Sequence, residues 1–300
     1  MPSPTTSPAN FKTVAIVAKP DGLGVAAPLN MLIALLKARG IKVRLDVRTA
    51  EFTTEKADEV MPRNPLDELI EGTDLAIAVG GDGTMLGVAR IVARHGVPLV
   101  GINLGHLGFL TDISADQAAE SLNHLLDGKY DEESRILLEA EILRDNQIIF
   151  RSVALNDVVV SRGAMGTMIE FGVEVNGEFV YSARADGLII ATPTGSTAYA
   201  LSSGGPILQP GLAAISLVPI SPHTLSNRPI AISSDSEVRV KLLHGQNARV
   251  NFDVQSYFDP ATDDVVLVRA HPKPLRLLHP VGYSYFAMLR TKLHWNERTT

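Results

Sequence analysis

Apolar and polar residues alternate with two different periods along the first part of the chain. Short runs rich in Val, Ile, Leu and Ala are followed by stretches in which apolar residues have helical spacing. The short runs predict strands and the longer stretches predict helices, with strands at 14–18, 41–47, 75–79 and 98–102 and helices at 27–39, 85–95 and 116–126. Because strands that alternate with helices form βαβ units, this part of the chain predicts a Rossmann-like α/β domain with a mostly parallel sheet.

The pattern changes after residue 130, where short strand-like runs follow one another with turn residues between them. Asn176-Gly177 separates two of these runs and predicts a tight β-hairpin. The predicted strands are 136–143, 148–161, 169–175, 179–183, 188–191, 215–219, 230–232, 238–243, 249–252 and 265–269. Many short strands in series are typical of an antiparallel sandwich, so we predict a β-rich second domain.

Two domains are also what a length of 300 residues suggests, at about 150 residues per domain. We expect a disordered tail at 1–10, because this stretch holds three prolines and four Ser or Thr residues. The α/β domain then occupies 11–130 and the β-rich domain 131–280. A predicted helix at 285–293 suggests that the segment 281–300 returns to the α/β domain.

The composition excludes several classes of function. The chain has no cysteine, which excludes disulfide frameworks, thiolate catalysis and cysteine-ligated zinc. A formal net charge of −6 and an aromatic content of 5% argue against a nucleic-acid partner, which requires clustered cations and stacking side chains. No apolar run approaches the roughly 20 residues of a membrane helix, and the first residues do not resemble a signal peptide. We therefore expect a soluble cytoplasmic protein with no membrane partner.

A glycine-rich loop, Gly80-Gly81-Asp82-Gly83-Thr84, lies between a predicted strand and a predicted helix. Its glycines allow the backbone to approach a ligand closely, and a helix N-terminus favours phosphate. A carboxylate repels phosphate, so Asp82 indicates either a base that accepts a proton from an attacking hydroxyl or a metal ligand. An ordinary strand-to-helix turn is the alternative. The P-loop pattern is absent, and the glycine spacing in this loop differs by one residue from that of the dinucleotide-binding fingerprint.

Two other segments place polar residues near strand ends. Residues 101–109 are glycine-rich and follow the fourth predicted strand, so they form either a ligand site or a connection to the second domain. Asn156-Asp157 interrupts an apolar run, and burial of these side chains requires a ligand or an internal hydrogen bond.

A third segment carries both charge and hydroxyl groups. Arg184 and Asp186 precede a predicted strand, and Thr194, Ser196 and Thr197 follow it. These hydroxyls either bind a ribose or phosphate or cap a short helix at 197–202. The eight histidines form no metal-binding pattern, and we expect only a structural role for the one at position 223.

These motifs, in this order and spacing, resemble the NAD kinase family. The resemblance extends over about residues 11–295 and rests on 80–84, 103–109, 156–157, 186–199 and 222–229. It implies transfer of the terminal phosphoryl group of ATP, or of polyphosphate in some members, to the 2′-hydroxyl of the adenosine ribose of NAD, giving NADP. It also implies an N-terminal α/β domain and a C-terminal β-rich domain with NAD between them, a divalent metal ion (Mg²⁺ or Mn²⁺), and a homodimer or homotetramer.

Mapped by motif, the resemblance implies a role for each matched residue. The proton acceptor is Asp82, and the loop that binds the phosphate donor comprises Gly80, Gly81, Gly83 and Thr84. The residues implied to bind NAD are Asp82, Gly83, Asn156, Asp157, Arg184, Asp186, Thr197, Ala198, Tyr199, Ala200, Leu201, Ser202 and Gln255. Within this set, 156–157 bind the adenine-side ribose, and Arg184 and Asp186 lie near the nicotinamide. The family often has Glu where this chain has Asp157, and the sequence identifies no protein ligand for the metal.

Two other functions use parts of the same pattern. A kinase that acts on a lipid or sugar hydroxyl has a similar glycine loop, and it phosphorylates a long-chain base or a sugar rather than NAD. A non-catalytic dinucleotide-binding protein keeps the binding sites without turnover. Asp82 argues against this last function, because a site that only binds phosphate gains nothing from a carboxylate.

Overall fold

The computed structural model describes residues 3–5, 11–61, 66–105, 108–163, 167–224, 226–245 and 247–295. The chain forms two compact units, of which the first combines Met1–Ser134 with Leu275–Thr300 and the second is Arg135–Pro274. Each unit has its own core of buried aliphatic side chains. Within the described residues no helix has the length and the apolar character that crossing a membrane requires.

The first unit is built on a mostly parallel sheet with helices between its strands. In chain order its first elements are β1 (Ser3–Thr5), β2 (Thr13–Ala18), α1 (Ala26–Ala38), β3 (Lys42–Asp46), α2 (Val47–Ala50), β4 (Glu59–Met61), α3 (Leu66–Ile70), β5 (Leu75–Val79), α4 (Asp82–His95), β6 (Leu99–Asn103), β7 (Ile113–Ser114), α5 (Ala118–Leu126) and β8 (Tyr130–Arg135). Every residue of β5 and β6 is buried, as expected for parallel strands that are covered on both faces. The predicted α/β architecture is confirmed.

The second unit contains two six-stranded antiparallel sheets. Its elements are β9 (Leu138–Arg144), β10 (Gln147–Ala154), β11 (Asp157–Arg162), β12 (Ile169–Val175), β13 (Glu178–Ala185), β14 (Gly187–Ala191), α6 (Tyr199–Ser202), β15 (Ala214–Ile220), β16 (Ile230–Ser233), β17 (Val238–His244), β18 (Ala248–Phe252), β19 (Ser256–Phe258) and β20 (Val265–Ala270). One sheet has the order β10-β9-β20-β17-β12-β13 and the other β16-β15-β14-β11-β18-β19. Their inner faces share one apolar core, which confirms the predicted sandwich.

The chain then returns to the first unit with β21 (Leu275–His279) and α7 (Tyr285–Leu293). β21 lies between β8 and β6 in the sheet order β1-β8-β21-β6-β5-β2-β3-β4. It runs parallel to β6, and the Arg276 guanidinium on β21 forms a two-bonded ion pair with Glu132 on β8, at 2.6 and 2.9 Å. The second unit ends at Pro274, ahead of the predicted boundary at residue 280, because β21 pairs with strands far away in the sequence rather than with the sandwich.

Two other predictions differ from the structure. Ser3–Thr5 pairs antiparallel with β8, so this part of the predicted disordered tail is a short edge strand, while residues 1–2 and 6–10 lie outside the described residues. The single strand predicted at 148–161 is two strands, β10 and β11, which belong to different sheets. Its interruption at Leu155-Asn156 forms part of the candidate site. The predicted hairpin at Asn176-Gly177 is confirmed, with φ values of 55° and 80° at the two turn residues.

The topology of the parallel sheet selects one edge for ligand binding. The chain runs from β2 outward to β3 and β4, and then returns to β5 and β6 on the other side of β2. In open α/β sheets, ligands bind outside the carboxyl ends of the strands at the point where the order reverses. Here that point lies between β2 and β5, where the backbone N–H of Lys19 donates to the carbonyl of Val79 at 2.9 Å. The glycine-rich loop begins at the next residue.

Candidate active site

The glycine-rich loop turns directly into α4, so that Asp82 is the first residue of a 14-residue helix. The predicted start at Met85 is wrong by three residues. An acidic residue in the first turn is stabilised by the partial positive charge of a helix N-terminus, which explains why the helix extends back to this position. Gly80 is confined by its neighbours, since a Cβ there would lie 2.4 Å from Thr84 Oγ1. Asp82 is therefore held by regular structure rather than by a mobile turn.

Three donors from the segment after β6 bind the Asp82 carboxylate. The Phe109 N–H donates to Oδ2 at 2.8 Å, the Leu110 N–H donates to Oδ1 at 3.1 Å, and the Thr111 hydroxyl donates to Oδ1 at 3.3 Å. An ionised carboxylate accepts about four hydrogen bonds. Among the described residues, one acceptor direction of the carboxylate, on Oδ2, therefore remains open for a substrate hydroxyl.

The direction of the Thr111 hydroxyl proton follows from its other partners. The Thr111 oxygen accepts from Asn103 Nδ2 at 2.6 Å and from the Gly108 N–H at 3.1 Å. Asn103 is itself fixed, because its Oδ1 accepts from the Gly105 N–H at 2.6 Å. With two donors on its oxygen, the Thr111 hydroxyl directs its proton to Asp82. The buried Asn103 thus orients the carboxylate through one intermediate residue.

Gly108 is required by the same contact, since a Cβ at this position would lie 1.8 Å from Asp82 Oδ1. The glycine-rich segment predicted at 101–109 therefore wraps around the carboxylate rather than serving as a simple connection. Residues 106–107 of this segment lie outside the described residues.

A cavity of about 430 Å³ opens beside Asp82 at the carboxyl edge of the sheet. It is lined by Lys19, Gly80, Gly81, Asp82, Asn103, Leu104, Gly105, Gly108 and Lys292. Among the described residues, Asp82 is the only carboxylate in this lining, and no group of three or more acidic or histidine side chains is arranged to hold a metal. A divalent cation in this cavity would therefore take most of its ligands from phosphate oxygens and water, which is the usual behaviour of Mg²⁺.

The second unit brings together a different group of predicted residues. The buried Asp253 carboxylate accepts three backbone N–H bonds, from Leu155 at 2.7 Å, Asn156 at 2.7 Å and Asp157 at 3.1 Å. These three bonds take the place of the interstrand hydrogen bonds that a continuous strand would make here. β10 therefore ends at Ala154, and β11 starts at Asp157 in the other sheet. The side-chain amide of Asn156 makes no hydrogen bond within the described part of the chain, so its donor and acceptor are available to a ligand.

Asp157 is an unusual carboxyl group. Its side chain is only 4% exposed and accepts no hydrogen bond from the described residues. Burial and, to a smaller extent, the negative charge of the neighbouring Asp253 together raise its pKa from 3.8 to about 7. A buried carboxyl group without an internal partner is expensive to keep, and a ligand hydroxyl that donates to it would remove this cost.

The hydroxyl-rich segment after β14 lies against this group. The Thr192 hydroxyl donates to the Leu155 carbonyl at 2.6 Å, and the Thr192 N–H donates to the Asn156 carbonyl at 2.9 Å. Gly195 is required here, because a Cβ would lie 2.0 Å from the Asn156 carbonyl oxygen. The structure therefore joins the two motifs that are 35 residues or more apart in the sequence.

The helix predicted at 197–202 is wrong in its form. A short 3-10 turn, Gly195–Thr197, precedes α6, and Ala198 between them has a ψ of −127° that interrupts the helix. Neither segment has a side-chain cap, because the hydroxyls donate to carbonyls instead: Ser196 to Pro193 at 2.6 Å and Thr197 to Thr194 at 3.2 Å. The capping alternative is therefore excluded. α6 places Tyr199 at the surface, where it is 47% exposed.

The remaining predicted residues fall into two places. Gln255 lies in the turn directly after Asp253, beside the start of β11, since Val158 pairs with Phe252. Arg184 and Asp186 lie elsewhere. Asp157 pairs with Ala191 and Ser161 with Gly187, so Asp186 is at the opposite end of β11 from Asp157.

Asp186 forms an ion pair with Arg162 at 2.7 Å, and Arg184 is exposed with its carbonyl bonded to the His223 N–H. Within the second unit, the structure does not bring Arg184 or Asp186 next to Asn156.

The sequence alone missed Thr111 and Lys292 and gave no role to Asp253. A signal for Asp253 was present, since a lone carboxylate next to a strongly apolar strand needs several donors. Thr111 and Lys292 carry no such local signal, because Thr111 donates to Asp82, 29 positions away, and Lys292 lines the cavity beside a glycine-rich loop that is far away in the sequence.

A carboxylate at a helix N-terminus, beside a cavity of about 430 Å³ at a sheet switch point, is typical of α/β proteins that bind phosphate-containing ligands. Comparison with known proteins identifies the family. Residues 14–130 match the family described as the ATP-NAD kinase N-terminal domain, and residues 155–279 match the ATP-NAD kinase C-terminal domain.

Similar curated proteins extend over almost the whole chain. The NAD kinase of Aromatoleum aromaticum is 48% identical over 287 residues, with 96% of this chain and 95% of that protein covered. The NAD kinase of Nitrosomonas europaea is 49% identical over 286 residues, with 95% and 96% covered. The chain belongs to the NAD kinase family.

Solved structures have the same fold. A crystal structure of an NAD kinase from Archaeoglobus fulgidus in complex with ATP has a TM-score of 0.72 at 26% identity and covers 94% of this chain and 98% of that one. A crystal structure of yeast NADH kinase complexed with NADH has a TM-score of 0.87 and covers 97% of this chain and 90% of that one. At 24% identity, the yeast structure supports the fold alone.

Proposed function

We propose that this protein transfers the terminal phosphoryl group of ATP to the 2′-hydroxyl of the adenosine ribose of NAD, giving NADP and ADP, with Asp82 as the proton acceptor. The observation that carries the role of Asp82 is the open acceptor direction on Oδ2, next to three directions that are already filled. The family membership and the NAD kinases that are nearly half identical support the reaction.

The geometry of Asp82 suits this step. A ribose hydroxyl is a weak nucleophile, and its proton passes to Asp82 Oδ2 as the hydroxyl oxygen forms its bond to the γ-phosphorus and the bond to the ADP oxygen breaks. A positioned carboxylate contributes a factor of about 10² to 10⁴ to the rate of such a reaction. The donors from Phe109, Leu110 and Thr111 fix the carboxylate, so that little reorganisation is needed when the hydroxyl arrives.

The proposal assigns the donor phosphates to the loop of Gly80, Gly81, Gly83 and Thr84, with Gly83 also against NAD. It assigns the adenosine ribose to Asn156 and Asp157, whose side chains make no hydrogen bond to any other described residue. The remaining proposed NAD contacts are Thr197, Ala198, Tyr199, Ala200, Leu201, Ser202 and Gln255, with Arg184 and Asp186 at the nicotinamide end.

A divalent cation, Mg²⁺ or Mn²⁺, is part of the proposal, and it neutralises charge on the donor phosphates when it is bound. The single carboxylate in the cavity lining fits a cation that is held mostly by phosphate and water. We further propose a homodimer or homotetramer in the cytoplasm, as the resemblance to the family implies. Light scattering of the purified protein measures the oligomeric state directly.

The reaction is tested by measuring NADP formation from NAD and Mg-ATP, with polyphosphate as a second donor. Asp82→Asn is expected to lose at least a factor of about 100 in kcat, because the amide cannot accept the proton. Asp116→Asn is the matched control, since Asp116 is an exposed carboxylate in the same unit and is expected to leave the rate unchanged. A wild-type protein that binds NAD but makes no NADP with either donor would refute the reaction. Full activity of Asp82→Asn would refute the role of Asp82 alone.

A further inference from the structure

The cavity beside Asp82 receives one lysine from the far end of the chain. Lys292 lies in the last turn of α7 and lines the cavity together with Lys19 and the glycine-rich loop. It lies beyond residue 279, where the similarity to the NAD kinase C-terminal domain ends. No motif in the sequence assigned it a role.

The helical period explains why Lys292 faces the cavity. Leu289 is 2% exposed and marks the face of α7 that packs against the first unit. Residues three positions apart lie on the same face of a helix, so Lys292 shares the inward face of Leu289. Arg290, one position after Leu289, is exposed on another face. The side chain of Lys292 is half-buried, and no carboxylate among the described residues pairs with it.

The charges around the cavity are unbalanced in a way that points to an anion. Lys19 and Lys292 are the two cationic side chains that the described residues bring to the lining, and the N-terminus of α4 adds a partial positive charge. Two cations beside a helix N-terminus repel that partial charge, and among the described residues of the lining Asp82 is the only negative side chain. Lys19 reaches a carboxylate, Asp21, at 3.2 Å, but Lys292 does not. A polyanionic ligand in the cavity would balance this arrangement.

We infer that Lys292, together with Lys19, binds the triphosphate chain of the phosphoryl donor. The inference rests on the proposed function, which places the donor phosphates at the glycine-rich loop. α7 is then part of the donor site, and Lys292 contacts the donor and not NAD. Since a lysine ammonium recognises phosphate oxygens as a point charge, the same contact serves ATP and inorganic tripolyphosphate.

The test compares Lys292→Met with Arg290→Met, which removes the same charge from an outward face of the same helix. Loss of a hydrogen bond to a charged phosphate is expected to raise the KM for ATP by about ten- to a hundredfold, while the KM for NAD stays unchanged. Arg290→Met is expected to leave both constants unchanged. Lys292→Arg keeps the positive charge and is expected to recover most of the affinity for ATP.

A second measurement uses inorganic tripolyphosphate as a competitor of ATP. Its inhibition constant is expected to rise in Lys292→Met by the same factor as the KM for ATP, because the contact is with phosphate and not with adenosine. An unchanged KM for ATP and an unchanged inhibition constant in an active Lys292→Met would overturn the inference. If this variant does not fold, the comparison of Lys292→Gln with Arg290→Gln decides in the same way. Absence of NADP formation by the wild type would instead refute the proposed function.

Discussion

Replacement of Asp157 by Asn is expected to stabilise the protein at high pH and not at low pH. The carboxyl group of Asp157 is buried beside Asp253, and its pKa is raised from 3.8 to about 7. Well below pH 3.8 the group is protonated in both the folded and the unfolded chain, so it costs nothing. Between about pH 4 and pH 7 the folded protein holds a proton that the unfolded chain releases, and stability therefore falls as the pH rises. Above pH 7 the full cost is present.

The size of this cost follows from the shift in pKa. A change from 3.8 to about 7 is roughly three units, and each unit corresponds to about 1.4 kcal/mol, which gives up to about 4 kcal/mol at pH 8. The Asn side chain carries no charge at any pH. Its other effects on packing are independent of pH, so the change in the free energy of unfolding between Asp157→Asn and the wild type isolates the ionisation.

The assay is guanidinium unfolding of both proteins at pH 5, 6, 7 and 8, followed by circular dichroism of the β-rich unit. Asp263→Asn is the control, because Asp263 is in the same unit, is 74% exposed at its side chain, and has a positive φ of 71° that Asn also adopts. We expect the advantage of Asp157→Asn to grow by a few kcal/mol from pH 5 to pH 8 and that of the control to stay near zero. A difference that does not depend on pH would refute the reasoning.

Two further substitutions test the packing around the site. Thr111→Val removes a donor from the Asp82 carboxylate and is expected to lower kcat about tenfold, whereas Thr111→Ser keeps kcat near the wild type. An unchanged kcat in Thr111→Val contradicts this role. Gly195→Ala places a Cβ 2.0 Å from the Asn156 carbonyl oxygen and is expected to cost about 1–3 kcal/mol in thermal unfolding. Gly211→Ala has open space and serves as the control, so equal melting temperatures would contradict the expected clash.

Local patterns predicted those parts of the fold that depend on neighbours in the sequence. The apolar run at 75–79, followed by glycine and an amphipathic stretch, is sufficient to define β5 and α4. Asn176-Gly177 is sufficient to define a hairpin, because only a few residue types adopt its backbone angles without strain. The α/β and sandwich architectures both follow from such local signals.

Parts that depend on distant partners could not be predicted in the same way. The sequence predicts one strand at 148–161, although Asn156-Asp157 interrupts its apolar residues. The break into two strands depends on the Asp253 carboxylate, about 100 residues later, which binds the N–H groups of 155–157. In the candidate site, Asp82 was identified from its loop. The orientation of its carboxylate was not predicted, because it depends on the Thr111 hydroxyl, which follows β6 in the chain and contacts Asp82 only in the folded structure.

The position of β21 has a consequence for the order in which the chain can fold during synthesis. β21 fills the place between β8 and β6 in the sheet, although it leaves the ribosome only after the whole second unit has been synthesised. The sandwich, which is continuous from Arg135 to Pro274, is complete before then. Until β21 arrives, β6 and β8 each present an unpaired strand edge, which is a template for aggregation. A nascent chain truncated after Pro274 would therefore be a natural substrate for chaperones.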